Sequence, residues 1–158
     1  MPTVIFWISI GRPHSSGFTV LLNRVGVTVN DPLGYGDAGF NVTFSTAALN
    51  GDIHLYGGNM GNQLTGTWQE DGRNVDPNAV TDASARSAFL SSFNHLDPNG
   101  TWTIFFADMS SGDQSTFGSW SLEITAVPEP VTIALGIFFG VFGCFGLVRR
   151  FAKNPKTD

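Results

Sequence analysis

The sequence predicts an all-β domain over residues 1–126 and a single transmembrane helix over residues 131–148. Three observations carry that prediction. Short apolar segments, several of them alternating, are separated by clusters of Gly, Asn, Asp and Ser, which is the texture of strands and turns. Aromatic residues make up 13% of the chain beside 19 glycines, whereas disordered chains are poor in aromatics. Residues 131–148 form an uncharged apolar run that stops at Arg149 and Arg150. As a helix that run spans roughly 27 Å at ~1.5 Å per residue, against a hydrocarbon core about 30 Å thick.

Residues 3–10, TVIFWISI, are β-branched and aromatic and read as a buried strand. No basic residue precedes them and no small-residue cleavage site follows, so they are not read as a signal peptide. GRPHSSG at 11–17 is a turn cluster. FTVLLN at 18–23 is the next strand, extended over 25–29 past a bulge at Gly26. Residues 30–39 form a loop. In residues 40–44 the side chains of Phe40, Val42 and Phe44 share one face. IHLY at 53–56 reads as a short strand and residues 64–69 as another.

Residues 70–82, EDGRNVDPNAVTD, are the most polar stretch and read as a surface loop. Residues 82–93 are weighed between one helical turn capped by Asp82 and irregular chain, because their apolar spacing is irregular. A turn at Asp97-Pro98-Asn99-Gly100 leads into residues 101–107, where Trp102, Ile104 and Phe106 share a face. Residues 116–125 alternate again, with Trp120, Leu122 and Ile124 on one side and Ser119, Ser121, Glu123 and Thr125 on the other. The two segments read as antiparallel neighbours with one wet face, and both Trp102 and Trp120 are expected in the core.

Ahead of Val127, four arginines stand against eleven Asp and Glu, and no lysine occurs before Lys153. Nucleic acid is excluded as a partner, since it requires a basic footprint. Cys144 is the only cysteine, which removes a disulfide framework and a cysteine-based zinc site; it reads as a small filler of the apolar run. His14, His54 and His95 stand at no metal-ligand spacing and read as turn or surface histidines. No G-x-S-x-G elbow occurs. Glu70 and Asp71 are adjacent, so in a strand they point to opposite faces, which is poor geometry for paired acid–base work. The domain therefore reads as non-enzymatic. Calcium is the ligand that its oxygen-rich loops suit best. The candidate carboxylates are Asp108 with Asp113, or Asp71, Asp76 and Asp82, with solvated turn aspartates as the alternative. Gly136 and Gly140 form a G-x-x-x-G that can pair helices, although four glycines in the run make a chance match easy.

The basic residues Arg149, Arg150, Lys153 and Lys156 all follow the apolar run, so the positive-inside rule puts the short tail in the cytoplasm. Val127-Pro128-Glu129-Pro130, the apolar run and Arg149-Arg150, in that order at the C-terminus, resemble the PEP-CTERM sorting signal of Gram-negative bacteria. The resemblance implies a domain at 127–158 that is read by an exosortase, a membrane enzyme cutting near the Pro-Glu-Pro element. It also implies delivery to the cell surface, in bacteria that make exopolysaccharide.

A second resemblance lies upstream. Leu90-Ser91-Ser92-Phe93, Asn99-Gly100-Thr101-Trp102-Thr103-Ile104, Asp108, Asp113 and Ser119-Trp120-Ser121-Leu122 are similar to the P-domain of proprotein convertases and its bacterial relatives. Pro13-His14-Ser15-Ser16-Gly17-Phe18-Thr19-Val20-Leu21-Leu22 looks like that family's second strand pair. The resemblance implies a jelly-roll-like β-sandwich, short of its first strand, with the two sheets about 10 Å apart. An export signal and a further strand are accordingly expected ahead of Met1. The function so implied is a surface-sorted binding or structural module, single-pass in the membrane before processing and extracellular after it. Its partners would be exosortase, the membrane, and exopolysaccharide or a surface protein. The alternatives are an accessory domain to a secreted serine protease, or a carbohydrate-binding module using Tyr35, Tyr56 and Trp68.

Overall fold

The computed structural model describes residues 4–12, 15–109 and 114–125. The chain divides into two compact units, Met1–Trp120 and Ser121–Asp158, and the first holds every regular element among the described residues. These elements are five strands and two single turns of 3₁₀-helix, so the described chain is β-rich with almost no helix. No helix among the described residues is long and apolar enough to cross a membrane. The apolar run at 131–148 lies outside the described residues.

Strand β1 (Val4–Arg12) sits between β2 (Ser15–Asn23) and β5 (Thr101–Asp108) in an antiparallel sheet. The β1–β2 hairpin is tighter than the turn cluster predicts, because Arg12 already pairs with Ser15. The register slips once, between Phe6 and Trp7. Buried residues run without alternation from Thr19 to Asn23, as expected of a strand covered on both faces. The strand ends there. Arg24 (φ 48°) and Gly26 (φ 86°) adopt left-handed backbone that no pleat accommodates, so the expected extension over 25–29 does not form. Gly26 is required twice over, since a Cβ there would lie 2.4 Å from the Tyr35 ring.

A second sheet pairs β3 (Phe40–Phe44) with β4 (Leu64–Trp68). The pairing is parallel, from Phe40↔Leu64 to Phe44↔Trp68, which the sequence pattern does not reveal. The crossover between them contains Ile53–Leu55, expected as a strand and found as a 3₁₀ turn. The cause is local. The Asp52 carboxylate accepts the His54 amide at 3.0 Å, capping a turn where a strand would need an extended neighbour. No helix forms at Asp82, where a single turn closes with the Ser84 amide on the Thr81 carbonyl at 3.0 Å; a 3₁₀ turn follows at Leu90–Phe93.

Leu21, Leu22, Ile53 and Leu64 form the buried core cluster. Phe40, Val42 and Phe44 of β3 pack against it, as do Trp102, Ile104 and Phe106 of β5, on the faces that alternation predicts. Trp102 also tilts against Phe93 at 5.1 Å and donates its Nε1–H to the Pro98 carbonyl at 3.1 Å. The second tryptophan differs. Residues 114–125 join no strand, and Trp120, Leu122 and Ile124 are exposed, Trp120 by 45%. The ladder that the sequence assigns to β5 and residues 116–125 is made instead by β1, whose Val4–Gly11 pairs along the whole of β5. An alternating pattern shows that a segment can serve as a strand; it does not supply the partner.

Candidate functional site

The polar stretch at 70–73, expected on the surface, is buried. The Asp71 and Gly72 amides donate to the Leu21 and Val20 carbonyls at 3.1 and 2.9 Å, which draws the segment along the free edge of β2. Gly72 has φ 70°, and a Cβ there would crowd the Phe89 ring at 3.0 Å. The side chains thus carried inside must find partners, because a buried charge without one is costly. Asp71 Oδ2 accepts from His54 Nδ1 and from the Asn23 amide, both at 2.9 Å. Its Oδ1 accepts from Arg73 Nη1 at 3.1 Å. The same Nη1 donates to Asp52 Oδ2 at 2.8 Å, while Arg73 Nη2 donates to the Asp82 carbonyl at 2.9 Å. Asn23 Nδ2 donates to the Arg73 carbonyl at 3.0 Å, and Arg86 Nε to the Asp71 carbonyl at 2.9 Å. Glu70 points the other way, as adjacent residues in extended chain do, and its Oε1 accepts the Leu90 amide at 2.7 Å.

An aspartate bonded to histidine resembles two members of a nucleophilic triad. Here the third place is filled by main chain, because His54 Nε2 lies 2.9 Å from the Val27 carbonyl. Both ring nitrogens face oxygens, so both are engaged within the network. The Arg73 guanidinium lies between two carboxylates, Asp52 and Asp71. Among the described residues the outer nitrogen meets the Val27 carbonyl and no hydroxyl or thiol for the histidine to activate. What it does is tie the end of β2, the 3₁₀ turn and the segment after β4 together.

The structure places the other candidates as follows. Asp108 accepts the Ser115 amide at 2.8 Å, and Asp113 lies outside the described residues. Asp71, Asp76 and Asp82 do not converge: Asp71 is in the buried network, Asp76 caps its own turn through the Asn78 amide, and Asp82 is exposed. Among the described residues no three His, Cys, Asp or Glu side chains group to hold a metal ion. His95 is exposed as expected; His54, expected on the surface, is 1% exposed; His14 lies outside the described residues. Val127, Pro128, Glu129, Pro130, Arg149 and Arg150 lie outside them too.

Tyr35, Tyr56 and Trp68 do come together. The Tyr56 ring meets Tyr35 edge-on at 4.8 Å, Trp68 at 6.2 Å and Phe40 at 6.1 Å. Each of the three candidates is half-buried, leaving part of every ring accessible. The Tyr56 hydroxyl donates to Asp37 Oδ2 at 2.6 Å, and the Asn59 and Gly61 amides donate to the same carboxylate at 2.7 Å. Burial pushes the Asp37 carboxyl up, but the Tyr56 hydroxyl and the two amides outweigh it and hold it below the usual range. Burial, with the adjacent Asp37 charge, pushes the Tyr56 hydroxyl well above its ordinary value. Asp37 thereby pins the glycine-rich loop at 57–61 beneath the aromatic group.

No protein-family model, curated protein or solved structure matches this chain. Its chemistry is therefore read from these residues.

Two outcomes follow. Asp71→Ala leaves His54 Nδ1 and the Asn23 amide buried without their acceptor and Arg73 with Asp52 alone, and lowers unfolding free energy by about 3–5 kcal/mol, read as a reduced urea midpoint. Asp37 has a folded-state pKa below its unfolded value near 3.8, so its stabilisation is complete above 3.8 and fades as pH falls through the folded value. Asp37→Asn is accordingly less stable than the parent at neutral pH, and thermal melts of the two converge in stronger acid.

Proposed function

We propose that this chain is an exported, surface-sorted module of the cell envelope that binds or builds rather than catalyses. Its β-rich domain is read as a P-domain-like jelly-roll sandwich. Support for the sandwich comes from the core, where inward residues of β5 and of β3 and β4 pack on the same buried leucines and Ile53. Its tail is read as a PEP-CTERM signal, held in the membrane and cut by an exosortase. The ordered Pro-Glu-Pro, apolar run and Arg-Arg carry that half of the proposal. Calcium at Asp108 and Asp113 is retained as the candidate metal.

One observation favours a particular kind of binding. Tyr35, Tyr56 and Trp68 stand on a single half-buried aromatic group, with Asp37 fixing the loop beside it. Sugar rings present flat C–H faces that aromatic rings cover well, so a carbohydrate, such as matrix exopolysaccharide, is the ligand class this surface suits. The protease-accessory reading has no comparable feature among the described residues.

In a glycan-array experiment with the full chain, retention on matrix-type polysaccharide is expected. Trp68→Ala is expected to weaken it about tenfold, equivalent to about 1.4 kcal/mol, with the circular dichroism of the domain preserved. Equal retention by both proteins removes the aromatic group from the proposal. Capture of a secreted serine protease instead transfers the function to the accessory reading.

A further inference from the structure

Residues 27–29, Pro32 and residues 78–81 line an open groove of about 360 Å³ in the first unit, together with Arg24. That volume is within the range of small-molecule sites. The walls are mixed: Val27, Val29, Pro32, Ala79 and Val80 give the apolar part, and Thr28, Asn78 and Thr81 stand with Arg24 on the polar part. Arg24 is held in left-handed backbone at φ 48°, a conformation uncommon outside glycine and asparagine. Its Nη1 donates to the Pro77 carbonyl at 3.0 Å and its Nη2 to the Pro32 carbonyl at 3.1 Å, so the guanidinium braces both loops. Its Nε is buried and has no hydrogen-bond partner.

The charge of Arg24 is the anomaly. Arg73 and Arg86 both lie against the Asp52 carboxylate, at 2.8 and 3.7 Å. Arg24 has no carboxylate at ion-pair distance among the described residues, in a domain where acids outnumber arginines. The acids of the two flanking loops are turned to their own backbone. Asp31 accepts the Leu33 amide at 3.2 Å, and Asp76 the Asn78 amide at 2.8 Å. Two of the five guanidinium N–H groups are spent on the proline carbonyls, and three remain.

We propose that this groove binds an organic carboxylate on a compact apolar body. The carboxylate accepts from the Arg24 Nη–H groups that the proline carbonyls leave free, and the apolar body lies against the valine, proline and alanine walls. Charge-assisted bonds of this kind are stronger than neutral ones. The same chemistry is offered by a free branched-chain acid and by the C-terminus of a peptide ending in an apolar residue. The site is separate from the aromatic group, and its test is independent of the glycan reading.

The experiment follows the Arg24 Nε–H resonance in ¹⁵N-labelled full chain in zwitterionic detergent. The probes are isovalerate and N-acetylvaline, with N-acetylvalinamide and sodium chloride as controls at equal ionic strength. A saturable shift with either acid, absent with the amide and with chloride, is the expected result; the acid that binds tighter identifies the source. Val29→Asp provides the second arm, since Val29 is 74% exposed and an aspartate there supplies an internal carboxylate while leaving Arg24 in place. It should weaken acid binding about tenfold or more by competing for the guanidinium. No shift with either acid, equal shifts with the amide or chloride, or unchanged affinity in Val29→Asp overturns the proposal.

Discussion

The Asp71 carboxylate is the constraint on which the rest of this fold depends. It accepts from a histidine, an arginine and a backbone amide that come from three separate segments of the chain. None of those segments is a regular sheet neighbour of another through its own ladder. Without the carboxylate, the His54 ring and the Asn23 amide would lose their shared buried acceptor and Arg73 one of its two carboxylates. A buried ionic group of this kind adds little net stability compared with apolar packing, but it tolerates few alternative arrangements. Its contribution here is positional: the 3₁₀ turn, the end of β2 and the 70–73 segment can meet in one way.

The accessible chemistry sits around that interior anchor. Ile53 and His54, adjacent in the 3₁₀ turn, are both buried, and Tyr56, which caps the turn, is half-buried and carries the aromatic group. Tyr56 in turn bonds to Asp37, which fixes the glycine-rich loop. On another side, the Val27 carbonyl that receives His54 belongs to the loop bounding the Arg24 groove. Both candidate binding surfaces are thus tied through a few bonds to the same buried histidine. Rigid placement of partly exposed aromatic and cationic groups is what a binding module needs, since little ordering is then required on association.

The strands β1 to β5 were legible because apolar alternation and β-branched runs record which face is covered. The alternation of Phe40, Val42 and Phe44, and of Trp102, Ile104 and Phe106, maps directly onto the core. Two kinds of information were not legible. Partnership was one: the parallel pairing of β3 with β4, and the lack of any ladder for residues 116–125, depend on which edges are free in space. Burial of polar residues was the other. Glu70-Asp71-Gly72-Arg73 reads as solvent-facing by composition, and its burial is decided by two backbone bonds to β2 that no local pattern announces. The scarcity of arginine was the available signal. In a chain region with so few cations among so many acids, each cation is a candidate for a specific partner, and Arg73 and Arg86 both have one.

The central claim is that the Asp71 network is among the last parts of the domain to open. Native-state hydrogen exchange on the Asn23 amide, which donates to Asp71 Oδ2, tests it most directly. The account predicts that this amide exchanges only through global unfolding, with the same opening free energy as the Val20 and Asp71 amides bonded between β2 and its covering segments. Exchange of Asn23 as fast as the exposed Leu33 amide, while the β2 core stays protected, would contradict it.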